Sequence, residues 1–294
     1  MSDRLIWDRD GRDWPNRAFS RFVTAGGLVW HVQVMGEGPV VLLIHGTGAS
    51  THSFRRLAPL LASRCTVVAP DLPGHGFTAT PSVAFGFSLP GVASGVAALL
   101  QRLTMKPVLA IGHSAGAAIT ARMTLDGAIA PDAMVSLNGA LLPFPGMAND
   151  FFSPAARFLA SSALTAKAFT LLAGFRPSVE KILRATGSNI DADGRRFYVR
   201  LVGNAGHVHG ALALMANWNL RPLARDLAHF PTRLILVTGS KDGMVPPSES
   251  YRVRSIVPAA ELVSLKGLGH LAHEEQPEQI ASLIERMVPY ETTD

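Results

Sequence analysis

The chain has 294 residues, enough for one large α/β domain or for a core with a small insertion. Apolar residues make up 48% and charged residues 17%, which fits a compact, well-buried protein, and no apolar run approaches the ~18 residues of a membrane span. The net charge of +5 sits in scattered pairs such as Arg55-Arg56 and Arg195-Arg196, not in a run interleaved with aromatics, so no nucleic-acid partner is expected.

The N-terminus mixes acids and bases (Asp3, Arg4, Asp8, Arg9, Asp10) and lacks an apolar stretch, so no secretory signal is expected and the default address is cytoplasmic. β-like runs at 20–25 and 28–35 flank Gly26-Gly27, where both residues can take φ > 0, as a tight hairpin needs. An apolar run at 40–44 stops at His45-Gly46. Cys65, the only cysteine, excludes an internal disulfide and a cysteine-based metal cluster; it is expected to be a buried, inert thiol. Further apolar runs follow: 66–69 stops at Pro70-Asp71, 108–111 at Gly112-His113-Ser114, 134–137 at Asn138-Gly139, and 234–237 at Thr238-Gly239. The last is 262–265. Helix-like stretches at 54–61, 89–103, 115–126 and 278–287 separate them.

Runs that are apolar on both faces and alternate with helices predict a doubly wound α/β fold, in which ligands bind at the carboxyl ends of the strands. The polar and glycine-rich tips fall at those ends. The alternation breaks from 141 to 227, a stretch that opens with Pro143, Pro145 and Gly146 and then reads as several helices. This divides the chain into a core, 1–140 and 228–294, and a helical cap, 141–227, inserted over the strand ends.

Gly112-His113-Ser114-Ala115-Gly116 fits G-x-S-x-G between a strand and a helix, where flanking glycines admit the sharp turn that exposes a serine. Alone it also reads as a glycine-rich turn with a serine N-cap. Asp242 and His270 stand just after the last two strands, and the order Ser114, Asp242, His270 is that of a nucleophile, an orienting acid and a base. A serine hydroxyl needs that base to become nucleophilic. His45-Gly46-Thr47-Gly48 follows the strand at 40–44, and the N–H groups of Thr47 and Ala115 are the expected oxyanion hole.

His45, Gly46, His113, Asn138, His207 and Trp218 are taken to face a substrate. His207-Val208-His209 has the look of a metal pair but no third ligand, so neither metal nor cofactor is expected. The turn from Asp71 to Gly76 is read as structural, and His273 and Glu274-Glu275 as solvated. The apolar stretch 151–175, with Phe158, Leu159, Phe169, Leu171 and Leu172, suits a helix pair over the core, a greasy substrate or a bilayer surface.

With these residues in view, the chain resembles the α/β-hydrolase superfamily: His45-Gly46, Asp71-Leu72-Pro73-Gly74-His75-Gly76, the serine elbow, Asp242 and Gly269-His270 stand in its order. The resemblance implies a mostly parallel, roughly eight-stranded sheet with a lid. Serine at the elbow, not aspartate, argues against the dehalogenase and epoxide-hydrolase branches. Trp14-Pro15-Asn16-Arg17, the stretch from His45 to Ser53, Gly112 to Ala118, Leu137 to Pro143, Thr186-Gly187-Ser188 and His207 to Leu212 are similar to the magnesium-chelatase accessory proteins of bacteriochlorophyll biosynthesis. That resemblance implies a role near magnesium insertion, with chelatase subunits as partners, and names no reaction. Two main readings stand: a serine hydrolase acting on an ester, thioester or amide of a small apolar substrate, or a pocket that holds and delivers a tetrapyrrole. Surface contact with membranes through 151–175 is a third.

Overall fold

A computed structural model describes residues 4–143, 162–173 and 176–287. Eight strands form one sheet: β1 Ser20–Ala25, β2 Leu28–Met35, β3 Val40–Ile44, β4 Thr66–Pro70, β5 Pro107–His113, β6 Ala133–Leu137, β7 Arg233–Gly239 and β8 Glu261–Leu265. Their order is β1-β2-β4-β3-β5-β6-β7-β8. β2 runs antiparallel to β1 and β4, and every other pairing is parallel. The β1–β2 turn takes φ of 55° at Gly26 and 79° at Gly27, the positive values a two-residue hairpin requires.

The central strands are apolar on both faces because both faces are covered. Along β3, Leu42 and Ile44 join a cluster with Trp30, Val92, Leu99 and Ile119, whereas Val41 and Leu43 join one with Phe54, Leu57, Leu61, Ile280 and Ile284. The period of two along the strand thus assigns alternate side chains to two helical layers. The first layer holds the helices Leu89–Leu103 and Ala115–Leu125; the second holds Leu57–Leu61 and Pro277–Glu285.

The helix expected at 54–61 is instead a 3-10 turn, Thr51–Phe54, followed by a separate helix, Leu57–Leu61. Pro59 has no N–H to give Arg55 O, so the bond that would join the two is missing. Asn16 Nδ2 donates to that carbonyl instead, at 3.2 Å.

Between β6 and β7 the described residues contain the helices Ala163–Ala173, Arg176–Ala185, Ala192–Val202, Ala205–Ala216 and Arg221–Asp226, and no strand. Pro145 and Gly146, which open the stretch in sequence, lie outside the described residues, as do Phe158 and Leu159. On the helix Ala163–Ala173, Leu164, Leu171 and Leu172 are exposed.

Gly112 and Gly116 permit the approach that positions the site. A Cβ on Gly116 would collide with the Ile44 carbonyl of β3, and one on Gly112 with the Gly116 carbonyl. Gly116→Val is therefore expected to cost at least about 1–3 kcal/mol through overpacking against backbone that cannot swing aside. Urea unfolding of the variant checks this; an unchanged midpoint would show that helix and strand are not in forced contact.

Candidate active site

Ser114 stands between β5 and the helix Ala115–Leu125 with φ 53° and ψ −119°, a conformation a side chain adopts only when its surroundings impose it. Here they do. Ser114 N–H donates to Leu137 O at 3.1 Å, and Ser114 O accepts from the N–H groups of Ala117 and Ala140, each at 3.1 Å. The strained turn lifts the serine to a half-buried position while His113 and Ala115 on either side stay buried. Gly46 faces it so closely that a Cβ there would stand 2.9 Å from Ser114 Cβ.

Asp242 and His270, at the tips of β7 and β8, are joined by a 2.8 Å hydrogen bond from His270 Nδ1 to Asp242 Oδ2. Asn138 Nδ2 donates to the same oxygen at 2.7 Å, and the N–H groups of Met244 and Val245 donate to Oδ1, both at 2.8 Å. Burial alone would push the Asp242 carboxyl up. The hydrogen bond and charge of His270, with the donors Val245 and Asn138, outweigh it and hold the group below the usual carboxylate range. With Nδ1 engaged, Nε2 is the His270 nitrogen left to meet a hydroxyl. Ser114 Oγ makes no hydrogen bond to His270 among the described residues; in unliganded active sites this contact often tightens only when substrate binds.

The backbone of His270 is held from two sides. His113 Nε2 lies 2.9 Å from His270 O, and His270 N–H donates to Thr186 O at 3.0 Å. Thr186 O also accepts from Gly243 N–H at 3.2 Å, so one carbonyl grips both the acid loop and the histidine loop. Ser188 Oγ accepts from Leu271 N–H at 2.8 Å. A Cβ on Gly269 would meet the Ser188 N at 2.5 Å, which explains a glycine beside the histidine. Thr186-Gly187-Ser188 was legible as a motif, but nothing in its spacing told what it touches.

The loop after β3 and the start of the helix after β5 each present one unpaired donor. Among the described residues, neither Thr47 N–H nor Ala115 N–H has an acceptor. Ala115 opens its helix, where backbone donors are left free. Several residues expected to face a substrate make their bonds to the chain itself. His45 places Nδ1 2.8 Å from Gly46 O and accepts from Leu72 N–H on Nε2 at 2.9 Å. His207 bonds to Gly76 and Gly48, and Asn138 to Asp242. Trp218 is half-buried against the larger core cluster. Among the described residues no group of three or more His, Cys, Asp or Glu side chains could hold a metal ion.

Two buried polar networks back the site. The expectation that His273 and Glu274 are solvated is wrong: both are buried, at 0% and 2% exposure. Glu274 pairs with Arg55 and accepts from Ser53 Oγ at 2.9 Å and Tyr198 Oη at 2.7 Å. His273 Nε2 lies 2.7 Å from that Ser53 hydroxyl, and its ring packs 4.4 Å from His113. Glu274 looks solvated in sequence because its partners Ser53, Arg55 and Tyr198 are far away along the chain. The second network centres on Asp71, which sequence reading took for part of a turn. Its Oδ2 accepts from His31 Nδ1 at 2.7 Å and Phe77 N–H at 2.9 Å, and its Oδ1 from Thr51 N–H at 2.7 Å.

Comparison with known proteins extends the picture. A model of the alpha/beta hydrolase family matches residues 41–283. The chain is 37% identical over 274 residues to the magnesium-chelatase 30 kDa subunit of Rhodobacter capsulatus, covering 92% of this chain and 95% of that protein. Its fold is similar to that of a serine hydrolase involved in carbazole degradation, with a TM-score of 0.74, 20% identity, and 91% and 97% of the two chains covered. It is also similar to the epoxide hydrolase CorEH, with a TM-score of 0.71, 20% identity, and coverage of 91% and 97%. One fold thus carries different chemistries, and the side chains have to distinguish them.

The buried histidines give the molecule a pH signature. Burial, then the charge of His270, lowers His113 to about 3, and burial lowers His207 to about 4. His45, His52, His75 and His273 are also lowered, by burial first. These imidazoles stay neutral in the folded chain, whereas in the unfolded chain they take up protons near pH ~6.5. Below that pH the unfolded state binds more protons, so their stabilising effect is complete above ~6.5 and is lost as pH falls toward 4. The urea midpoint should drop steadily between pH 7 and pH 5, and less steeply in His113→Gln, which keeps a donor for His270 O. A midpoint flat across that range would contradict buried neutral imidazoles.

Proposed function

The chain belongs to the α/β-hydrolase family, and from that premise we propose that it is a serine hydrolase in which Ser114 attacks an ester, thioester or amide carbonyl. The observation that carries this reading is the 2.8 Å Asp242–His270 bond, which commits Nδ1 and leaves Nε2 for the hydroxyl of a serine on a strained elbow. His270 takes the Ser114 proton as the Oγ–C bond forms and returns it to the leaving group as the tetrahedral intermediate collapses. Asp242 fixes the tautomer and stabilises the imidazolium. Thr47 N–H and Ala115 N–H receive the oxyanion, each worth about 2.7–4 kcal/mol in the transition state. Water, activated by His270, then releases the acyl group and restores Ser114.

Residues 141–227 act in this reading as a helical cap over the strand ends, contributing Thr186 and His207 to the frame of the site. The likeness to the magnesium-chelatase 30 kDa subunit supports work beside that chelatase, as an accessory factor for magnesium insertion in bacteriochlorophyll biosynthesis, on a small apolar substrate such as a tetrapyrrole ester. The same likeness favours one second reading, a tetrapyrrole carrier in which the triad is idle. That relative is named for metal insertion and not for hydrolysis.

Labelling with a fluorophosphonate separates the two. The wild type should label, Ser114→Ala and His270→Ala should not, and Asp242→Asn should turn over a reactive ester roughly 10⁴-fold more slowly, through the wrong histidine tautomer. A folded wild type that labels no faster than Ser114→Ala would leave the carrier reading, to be tested by porphyrin titration.

A further inference from the structure

His207 ties the helix Ala205–Ala216 to the loop after β3. His207 is 3% exposed, and its N–H donates to the Asn204 side chain that caps the helix, at 2.9 Å. Gly76 N–H donates to His207 Nδ1 at 3.0 Å, so that nitrogen carries no proton. The proton is on Nε2, which donates to Gly48 O at 3.1 Å. Main-chain groups whose roles are fixed thus assign both nitrogens, and the ring has one tautomer and one orientation.

From Gly48 the bonding continues. Gly48 C=O and Ala49 N–H belong to one peptide plane, and Ala49 N–H donates to Gly46 O at 3.2 Å. Gly46 C=O and Thr47 N–H share the next such plane and point in opposite directions. His45 Nδ1 holds Gly46 O from a further side, at 2.8 Å, in a tautomer fixed by Leu72 N–H on Nε2. With its carbonyl pinned twice, the Gly46–Thr47 peptide has its N–H aimed the other way, and that N–H has no acceptor among the described residues. Hydrogen bonds in series polarise one another, so the chain from His207 also strengthens the terminal donor. Gly48, at φ 77°, lies in the left-handed region and has no side chain to brace the loop. A second contact fixes the helix against the core: at Gly210, less than one turn on, a Cβ would stand 2.9 Å from Gly74 Cα.

We infer that His207 is a positioning residue for the oxyanion donor Thr47 N–H, holding and polarising it through the Gly48–Ala49 and Gly46–Thr47 peptides. The inference rests on the hydrolase reading above. It makes oxyanion stabilisation depend on the seating of a helix from the segment between β6 and β7, without His207 touching substrate.

The test compares His207→Gln, His207→Asn and His207→Leu in the full chain. Glutamine places an amide N–H where Nε2 stands; asparagine is too short to reach Gly48 O. Each variant is measured for thermal melting, for fluorophosphonate labelling rate, and for kcat and KM on a p-nitrophenyl ester. Loss of an oxyanion donor costs about 10²–10³ in kcat, and misplacing one should cost roughly 10–100-fold. The expected result is that loss in kcat and labelling rate for His207→Leu and His207→Asn, with KM little changed, and recovery of most of it in His207→Gln. If His207→Leu does not fold, the glutamine–asparagine pair, alike in polarity, carries the comparison. Equal rates for glutamine and asparagine, or a change in KM alone, overturn the inference while Ser114-dependent labelling of the wild type upholds the hydrolase reading. A wild type no more reactive than Ser114→Ala overturns both.

Discussion

The carboxylate of Asp242 receives four hydrogen bonds, from Met244 and Val245 in its own loop, from Asn138 after β6 and from His270 after β8. A buried charge survives only when it is so surrounded, and removing one donor leaves the rest to bear the desolvation cost. The requirement draws three strand tips together. It orders the loop after β7, sets the tautomer of His270 and gives Asn138 a reason for its left-handed backbone, at φ 48°.

The parallel sheet makes that convergence possible. β3, β5, β6, β7 and β8 run the same way, so His45, Ser114, Asn138, Asp242 and His270 all follow carboxyl ends at one edge. The helical segment between β6 and β7 bonds to the loops at this edge. Thr186 O grips the acid and histidine loops, His207 grips the loop after β3, and Tyr198 and Asp191 reach Glu274 and Arg55. The first two contacts bear on backbone positions at the site and the last two on the buried Arg55–Glu274 network behind it.

Much of this was legible in the chain. The runs marked every strand to within about two residues; for the central strands β3 to β7 this is because a strand buried on both faces tolerates little but apolar residues. The order Ser114, Asp242, His270 was readable because each follows a strand. What escaped was what depends on partners far away in sequence. His273 and Glu274 looked solvated, yet Glu274 finds Arg55 219 residues distant. His113, Asn138 and His207 read as substrate contacts because a polar side chain beside a glycine-rich turn does not reveal which carbonyl or carboxylate it will meet. Asp71 sat in a turn motif whose spacing gave no sign of His31. The break at 55–56 hung on Pro59 and on Asn16, which takes the carbonyl that the proline cannot.

The central claim is that Ser114 becomes acylated. Rapid mixing with p-nitrophenyl acetate, followed by acid quench and peptide mass mapping, tests it at the atom concerned. The expected result is a burst of nitrophenol stoichiometric with protein and one acetyl group on the peptide containing Ser114. Linear release without a burst, and an unmodified Ser114 peptide from protein that turns the ester over, would contradict it.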